Sequence, residues 1–293
     1  MTTSPASAVR AAIVTTVCLA LAGGVAFLGA SGGSVVGGVS LLVLCAGLSM
    51  GIQWLVWLPS ALSQSERFFD LTGSLTYLTL IAVSLALSPD PGLRQFIVSG
   101  MVCVWAIRLG TFLFARIRRD GKDGRFDHLK TDPLRFLSVW TIQGLWVFFT
   151  AVCALIINTR ADPGGPLTIL DALGFALWGL GFGIEVISDR QKKAFAARRT
   201  GGWIDEGLWR YSQHPNYFGE ILLWTGIAVV GAGVFVGGQW IGLLSPVFVA
   251  ILLTRVSGIP LLEKRGEEKW GEDPAYRTYR NQVSRLLLLP RRS

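Results

Sequence analysis

Three polar side chains mark the point where the chain enters an apolar stretch. His214, Asn216 and Glu220 lie in SQHPNYFGEILLW, just as the sequence becomes hydrophobic. Pro215 suits the first position of a helix, because its missing N–H would have no partner there. The helix start then offers backbone N–H groups and a positive dipole end to an anion. Asn216 and Glu220 share a helical face, with the carboxylate about 6 Å deeper.

This spacing predicts a ligand with two unlike ends. A phosphorylated end would bind at the helix start, and a neutral polar end, an amide or a ribose, would donate hydrogen bonds to Glu220. Tyr217 precedes Glu220 by three residues on the same side of the helix. The alternative is an interfacial cap in which Glu220 pairs with Arg255.

A second polar stripe lies in GIEVISDRQKK. Glu185, Asp189 and Lys193 are spaced by four residues and therefore share one helical face. Because ionisable groups inside a membrane are costly, we expect this stripe to line a cavity. A ladder of salt bridges at the helix end is the alternative.

The last apolar run contains Arg255, and Glu263 follows two helical turns later. Pro260 lies between them and predicts a kink, since proline cannot donate the helical hydrogen bond. Arg255 is a candidate to bind a phosphate or to neutralise a nearby carboxylate. The tail after Lys264 is basic and aromatic, which suits a segment on the cytoplasmic leaflet or a lid over a cofactor.

Eight apolar runs position these groups. Of the 293 residues, 51% are hydrophobic and 16% are charged, well below the roughly 25% charged residues of soluble domains. Runs of about 20 apolar residues cross the hydrocarbon core of a bilayer. We therefore expect an all-α fold, a polytopic membrane helical bundle of about eight transmembrane helices. The runs cover 11–30, 36–59, 71–88, 95–115, 136–158, 167–188, 217–237 and 239–260.

The basic residues predict how these helices are oriented. Of the 27 lysines and arginines, 23 fall on the proposed cytoplasmic side and only Arg94 and Arg160 fall in outer loops. Both termini are then cytoplasmic, and we expect a bacterial inner membrane. The net charge of +8 reflects this topology and not nucleic-acid binding, because the basic residues cluster between apolar runs. The run after Arg10 is expected to be a retained helix, with a cleaved signal peptide as the alternative.

Neither a metal site nor a disulfide is expected. The four cysteines lie inside apolar runs without CxxC spacing, and the two histidines, His128 and His214, are far apart in sequence. Gly179, Gly181 and Gly183 look like a broken dinucleotide fingerprint but follow no strand. Gly179 and Gly183 instead favour close contact between helices.

The chain from about Gly174 to Pro290 resembles the C-terminal half of the steroid 5-alpha-reductase family. The resemblance rests on GIEVISDRQKK, GLWRYSQHPNYFGEILLW, GIPLLEKR, DPAYRTYR and LLLLP. FFDLTGSLTY and WAIRLGTFLFARIRRDGKDGRF look like the bacterial branch of that superfamily, which has no assigned function. Since relatives are commonly seven-helix proteins, residues 1–35 look like an extra N-terminal transmembrane helix. Residues 36–293 then resemble the reductase-like membrane domain, with its cofactor half at about 167–293.

The resemblance implies an NADPH-dependent membrane reductase. Its family reduces a carbon–carbon double bond conjugated to a ketone, here in a lipophilic, steroid- or isoprenoid-like substrate. Asp189 matches the family's Ser-Asp motif. Asn216 and Glu220 match its Asn-x-x-Gly-Glu motif, and Tyr211 matches a tyrosine just before it. Glu185 stands where these reductases often have asparagine. The expected cofactor-binding residues are Glu185, Asp189, Lys193, Tyr211, His214, Asn216, Tyr217, Glu220, Arg255 and Glu263.

The substrate side departs from the family pattern. Steroid reductases polarise the ketone with a glutamate and a tyrosine, but Trp105 replaces that tyrosine and residues 36–59 contain no carboxylate. The catalytic candidates, as proton donor or carbonyl clamp, are therefore Asp70, Tyr77 and Arg108. A helix cap and an interfacial aromatic are the structural alternatives for Asp70 and Tyr77.

Two other functions remain open. The His-Pro-x-Tyr pattern with a late glutamate also occurs in isoprenylcysteine and phospholipid methyltransferases, which bind S-adenosylmethionine. The Gly219-Glu220 and Ser188-Asp189 pairs favour the reductase. A non-enzymatic membrane protein, for lipid binding or scaffolding, is the third hypothesis. The expected partners are a lipophilic substrate from the bilayer and membrane lipids, without nucleic acid, and no oligomeric state is predicted.

Overall fold

The helices that the apolar runs predict are present in the computed structural model, which describes residues 5–120, 126–198 and 201–292. In these residues ten α-helices and a two-stranded antiparallel sheet, β1 (Val35–Val36) and β2 (Val39–Ser40), make up most of the regular structure. The nearly all-α fold expected from the sequence is therefore confirmed. The helices are α1 (Pro5–Gly29), α2 (Leu41–Leu62), α3 (Phe69–Ala86), α4 (Leu93–Asp120), α5 (Pro133–Asn158), α6 (Ile169–Ala197), α7 (Pro215–Ala232), α8 (Leu244–Ile251), α9 (Ile259–Trp270) and α10 (Pro274–Gln282).

Local sequence signals explain where several helices begin. The Asp132 carboxylate accepts hydrogen bonds from two backbone N–H groups at the start of α5, and Pro133 opens that helix. Asp273 and Pro274 start α10 in the same way. Pro215 is the first residue of α7, as predicted. These caps satisfy N–H groups that the first helical turn leaves without backbone partners.

Seven helical segments of the described chain are long and apolar enough to cross a membrane. These are the properties of an integral, multi-pass membrane protein. α7 coincides with the run predicted as the seventh crossing but lies outside this set, because Asn216 and Glu220 make it more polar. The seven segments are Ala6–Gly29, Leu41–Leu62, Phe69–Ala86, Leu93–Ala115, Pro133–Asn158, Ile169–Ala197 and Gly237–Trp270.

The last of these segments is interrupted. After α8 comes one π-helical turn, Leu252–Val256, and the helix then breaks at Ser257 and Gly258. A Cβ on Gly258 would lie 2.5 Å from the Leu253 carbonyl oxygen, so a larger residue would force the break apart. Pro260 lies in the first turn of α9. The kink predicted near this proline is therefore a full break in the helix.

The chain divides into two compact units. Unit 1 contains residues 1–168 and 231–244, and unit 2 contains residues 169–230 and 245–293. In unit 1, α5 packs against α1, α2, α3 and α4 and is the most buried of the seven candidate spans. α3 and α4 also pack against each other.

Unit 1 encloses the two arginines that the topology prediction places in outer loops. Arg94 is buried and donates hydrogen bonds to backbone carbonyl oxygens of residues 163–166. Arg160 donates to the Val234 carbonyl oxygen and to the Gln239 side chain. Burial lowers the pKa of Arg160. Both side chains, that of Arg94 in the first turn of α4 and that of Arg160 after α5, therefore bind carbonyl oxygens of loops.

Candidate functional site

α6 and α7 of unit 2 lie so close together that their backbones touch. A Cβ on Gly181 would lie 2.6 Å from the Gly219 carbonyl oxygen, and one on Gly219 would lie 2.7 Å from the Glu185 nitrogen. Two turns along, Gly226 lies against Gly174 in the same manner. Contact between small residues fixes the two helices. It also places Glu185 directly beside the α7 backbone.

The glycines that make this contact differ from those expected. A Cβ on Gly179 or Gly183 would meet no atom within 4 Å. The prediction that these two glycines mediate close helix contact is therefore wrong. Gly181 makes the contact because it lies on the opposite side of α6.

His214 lies immediately before α7 and is buried. It is 6% exposed, and its ring stacks on Tyr217 with 5.7 Å between the ring centroids. The His214 backbone N–H donates to the Ser212 hydroxyl. Burial lowers the pKa of His214 to about 3, and the nearby Lys192 ammonium acts in the same direction. The imidazole is therefore neutral at physiological pH. Its Nδ1 atom has no hydrogen-bond partner among the residues that the structure describes.

A cavity of about 890 Å³ lies within unit 2, and His214 is part of its wall. Ligand pockets typically have volumes of roughly 300–1,000 Å³. The walls come from the end of α6, the segment 201–214, α9 and α10. The aromatic lining consists of Phe195, Trp203, Trp209, Trp270, Tyr276 and Tyr279, and the basic lining consists of Lys192, Arg265, Lys269 and Arg280.

Trp203 is the centre of the aromatic wall. Its ring lies 5.0 Å from Tyr276, 6.2 Å from Tyr279 and 6.3 Å from Trp270, measured between centroids. The Trp203 indole N–H is enclosed and has no acceptor within residues 5–120, 126–198 and 201–292. The three rings meet Trp203 edge-on or tilted, and aromatic rings in such a wall suit a planar heteroaromatic ligand.

Two lysines of the lining lie over aromatic rings of the same wall. The Lys192 ammonium is 5.0 Å from the Trp209 ring centroid, and the Lys269 ammonium is 5.0 Å from that of Trp270. The negative face of an indole attracts a cation at this distance. These contacts hold both positive charges at the wall of the cavity.

Positive charges outnumber negative charges in the lining. Four cationic side chains line the cavity together with two carboxylates, those of Glu263 and Glu268. Glu268 lies 3.9 Å from Lys264, which is outside the lining. A wall with this excess of positive charge favours an anionic ligand.

Glu263 holds two arginines. Arg285 Nε and Nη2 each lie 2.9 Å from one of its two carboxylate oxygens, which makes a bidentate pair. Arg280 Nη2 lies 3.3 Å from Oε1 of the same carboxylate. The hydrogen bond to Glu263 raises the pKa of Arg285.

The C-terminal tail is tied to the segment before α7. The Gln213 side chain donates to the backbone carbonyl oxygens of Arg280 and Val283. The Tyr279 hydroxyl donates to the Trp209 carbonyl oxygen, and burial raises the pKa of this hydroxyl. The tail is therefore a fixed wall of the cavity. The predicted leaflet contact and the predicted lid over a cofactor both stay predictions.

Two of the ten predicted cofactor-binding residues line this cavity, and two others are enclosed elsewhere in unit 2. His214 and Glu263 line the cavity. Glu185 is buried against α7, and the amide oxygen of Asn216 is enclosed without a partner in the described part of the chain. Their roles toward a cofactor stay predictions.

Like Glu185 and Asn216, the other six predicted cofactor-binding residues lie outside the cavity lining. Tyr211 is 44% exposed, although it directly precedes the buried segment 212–215. The cavity lining thus contains only part of the predicted set of cofactor-binding residues. The remaining five are the exposed Lys193 and Arg255 and the partly buried Asp189, Tyr217 and Glu220.

The three predicted catalytic residues lie on α3 and α4 of unit 1. Tyr77 is buried, and its ring meets Trp105 edge-on with 5.1 Å between centroids. Asp70 lies seven residues earlier on the same face of α3, and both Asp70 and Arg108 are partly buried. The ring contact joins α3 to α4 at a predicted catalytic position. The catalytic roles themselves stay predictions.

Much of the cavity lining has no clear sequence signal. No periodic pattern singles out Trp203, Trp209 or Lys192, because their neighbours in space come from the distant tail. Trp270 and Tyr276 do carry a signal as aromatic residues in a basic segment. The same pattern also fits a helix on a membrane surface, so it does not by itself identify a cavity.

Comparisons with known proteins identify the family but no characterised relative. Residues 56–283 match a family described as "Protein of unknown function (DUF1295)". Neither the curated proteins nor the solved structures gave a match. The matched segment covers well over half of the chain and includes every residue that lines the cavity. The chain therefore belongs to the DUF1295 family.

Proposed function

We propose that this protein is an integral-membrane reductase that uses NADPH to reduce a carbon–carbon double bond conjugated to a ketone in a lipophilic, steroid- or isoprenoid-like substrate. The observation that carries the proposal is the cavity of unit 2, which combines aromatic rings with an excess of cationic side chains. A heteroaromatic ring stacks on such rings, and phosphates pair with such cations. S-adenosylmethionine has no phosphate and carries a sulfonium cation, so the lining favours the dinucleotide.

The residues of the cavity fit a dinucleotide. Trp203 offers an aromatic ring for stacking, while Lys192 and Lys269 offer charges for phosphates. His214 offers a ring nitrogen without adding a charge, because its pKa is lowered to about 3. When bound, NADPH supplies the hydride.

The substrate needs a group that stabilises charge on its ketone oxygen. Reduction of the conjugated double bond moves negative charge onto that oxygen, and a proton donor or a cation lowers the energy of this state. In this proposal the Tyr77 hydroxyl donates a proton or hydrogen bond, and the Arg108 guanidinium holds the charge. Asp70 is the alternative proton donor.

The proposed location is a bacterial inner membrane with both termini in the cytoplasm. The support is the charge asymmetry of the loops, together with the buried positions of Arg94 and Arg160. The test is an Arg292→Cys variant exposed to a membrane-impermeant maleimide in intact cells and in inverted vesicles. Labelling in inverted vesicles alone is expected. Labelling in intact cells would show that the protein has the opposite orientation.

Cofactor titration tests the proposed activity. The intact protein in nanodiscs is titrated with NADPH, NADH and S-adenosylmethionine, following nicotinamide fluorescence and the unfolding temperature. We expect NADPH to bind and stabilise the protein. The Lys269→Gln variant should bind NADPH about three- to tenfold more weakly, because it removes one charge from the lining. Lys264→Gln is the matched control on the same helix, outside the lining, and should bind as the wild type does.

The alternative functions predict different outcomes of the same titration. Stabilisation by S-adenosylmethionine alone would replace the reductase with a methyltransferase. Binding of neither cofactor would favour a non-enzymatic membrane protein. If NADPH binds, its oxidation is then measured with a panel of lipophilic enones and their saturated analogues. Turnover only with the enones is the expected result.

A further inference from the structure

Glu263 places a negative charge in the wall of a cavity that otherwise suits an anion. We propose that Glu263 is an internal counter-anion, which holds Arg280 until a ligand phosphate takes the place of its carboxylate, and that Arg280 thereby selects phosphorylated ligands. This inference rests on the nucleotide site proposed above. It changes the role of Glu263 from a group that binds the cofactor to one that competes with it.

The two arginines bound to Glu263 are held differently. Arg285 makes two 2.9 Å hydrogen bonds, one to each carboxylate oxygen, and it is outside the cavity lining. Arg280 lines the cavity and approaches one oxygen at 3.3 Å. Bidentate pairs of arginine and carboxylate are the stronger kind. Arg285 is therefore the permanent partner of Glu263, and Arg280 is the exchangeable one.

Arg280 is also placed to exchange its partner without moving the chain. Its backbone carbonyl oxygen accepts a 2.9 Å hydrogen bond from the Gln213 side chain, which fixes the start of the arginine side chain. The pair with Glu263 is partly exposed, with 29% of the arginine side chain accessible, and such pairs contribute little. A phosphate forms a stronger, charge-assisted contact with the same guanidinium. Rotation of one side chain is then enough to transfer Arg280 from Glu263 to the ligand.

The two possible roles of Glu263 predict opposite changes in ADP affinity for the same substitution. If the carboxylate binds a ligand hydroxyl, Glu263→Gln weakens the binding of adenosine and of ADP alike. If the carboxylate competes with a phosphate, Glu263→Gln leaves the affinity for adenosine unchanged and raises the affinity for ADP. We expect ADP, inorganic pyrophosphate and NADPH to bind about five- to tenfold more tightly to this variant.

The experiment is calorimetric titration of the intact protein in nanodiscs with adenosine, ADP, inorganic pyrophosphate and NADPH. Arg280→Gln should weaken the binding of ADP, pyrophosphate and NADPH but leave the binding of adenosine unchanged. In the Arg280→Gln background, Glu263→Gln should no longer tighten ADP, because the competition needs both groups. Glu272→Gln is the matched charge control, since Glu272 lies outside the cavity lining and pairs with Arg277. It should change ADP affinity by less than about twofold.

A further variant separates competition from damage to the fold. Arg285→Gln breaks the same bidentate pair but leaves Glu263 to engage Arg280, so ADP should bind more weakly, opposite to Glu263→Gln. Weaker binding of both adenosine and ADP by a folded Glu263→Gln protein would overturn the inference and leave the proposed NADPH site standing. An equal gain in ADP affinity from Glu263→Gln with and without Arg280 would also overturn the inference. If neither the wild type nor any variant binds ADP, pyrophosphate or NADPH, the inference and the proposed site both fail.

Discussion

Gly266 lies where α9 meets α10 in the wall of the cavity, and it leaves no room for a side chain. A Cβ at this position would lie 2.2 Å from the Tyr276 hydroxyl oxygen, while the next atom, Cζ of the same ring, would lie 3.3 Å away. The Tyr276 ring is held by Trp203 at 5.0 Å and by Trp270 at 5.8 Å between centroids. Gly266→Ala must therefore displace a ring that its neighbours hold in place.

The expected size of the effect combines two opposing contributions. Overpacking of a buried contact costs about 1–3 kcal/mol, whereas alanine in place of a helical glycine gains about 1 kcal/mol. The single variant Gly266→Ala should thus be destabilised by up to about 2 kcal/mol. In a Tyr276→Phe background the 2.2 Å contact is gone and 3.3 Å remains, so Gly266→Ala should be neutral or stabilising by up to about 1 kcal/mol.

The assay pairs thermal unfolding with titration of NADPH, both followed in nanodiscs. Gly266→Ala should lower the unfolding temperature and weaken NADPH binding, and Tyr276→Phe should restore both. Equal destabilisation by Gly266→Ala with either residue at 276 would refute the packing argument, because the clash would then lie elsewhere. Unchanged NADPH affinity in a destabilised Gly266→Ala protein would place the cofactor away from this wall.

Three further predictions test other parts of the structure. Gly219→Ala should lower the free energy of unfolding by about 1–3 kcal/mol, since its Cβ would meet two backbone atoms of α6 within 2.7 Å. Gly179→Ala has open space around the new Cβ and should be neutral or stabilising, and the unfolding temperatures of the two variants are compared. His214 has its pKa lowered from 6.5 to about 3, so the unfolded chain binds a proton that the folded chain does not, and stability should fall as the pH drops through 6.5, by about 1.4 kcal/mol per pH unit. His214→Gln should lose this slope between pH 6.5 and 5, and an identical slope in both proteins would contradict the assignment. Asp132→Ala should cost about 1 kcal/mol by removing the cap of α5, and no change in denaturant midpoint would show that the cap is dispensable.

Helix positions follow from the sequence where a local signal agrees with the apolar pattern. Pro215 predicts the start of α7, because a proline belongs in a first turn. The π-helical turn before Gly258 has no such signal, since its altered hydrogen bonds depend on tertiary contacts and not on residue periodicity. The break near Pro260 is therefore predictable only as a kink.

The candidate site is predictable only in part, for a physical reason. His214 stands out in the sequence because a polar residue at the start of an apolar helix is unusual. Trp203 does not stand out, because its importance comes from rings that lie about 70 residues away in the chain. The pairing of Glu263 with Arg285 is likewise set by how the tail folds back against α9.

The choice between Gly179 and Gly181 shows the limit of a spacing argument. Both glycines lie in the same apolar helix, and spacing alone does not say which side faces a neighbour. Only the position of α7 decides that Gly181 makes the contact.

The most direct test of the central claim is to map where a nucleotide binds. The intact protein in nanodiscs is photolabelled with an azido derivative of NADPH, with excess NADPH as competitor, and the labelled peptides are identified by mass spectrometry. We predict competed labelling within 201–214 or 262–280, the segments that form much of the cavity wall. Competed labelling confined to unit 1, or no competed labelling at all, would contradict the claim that this cavity binds the cofactor.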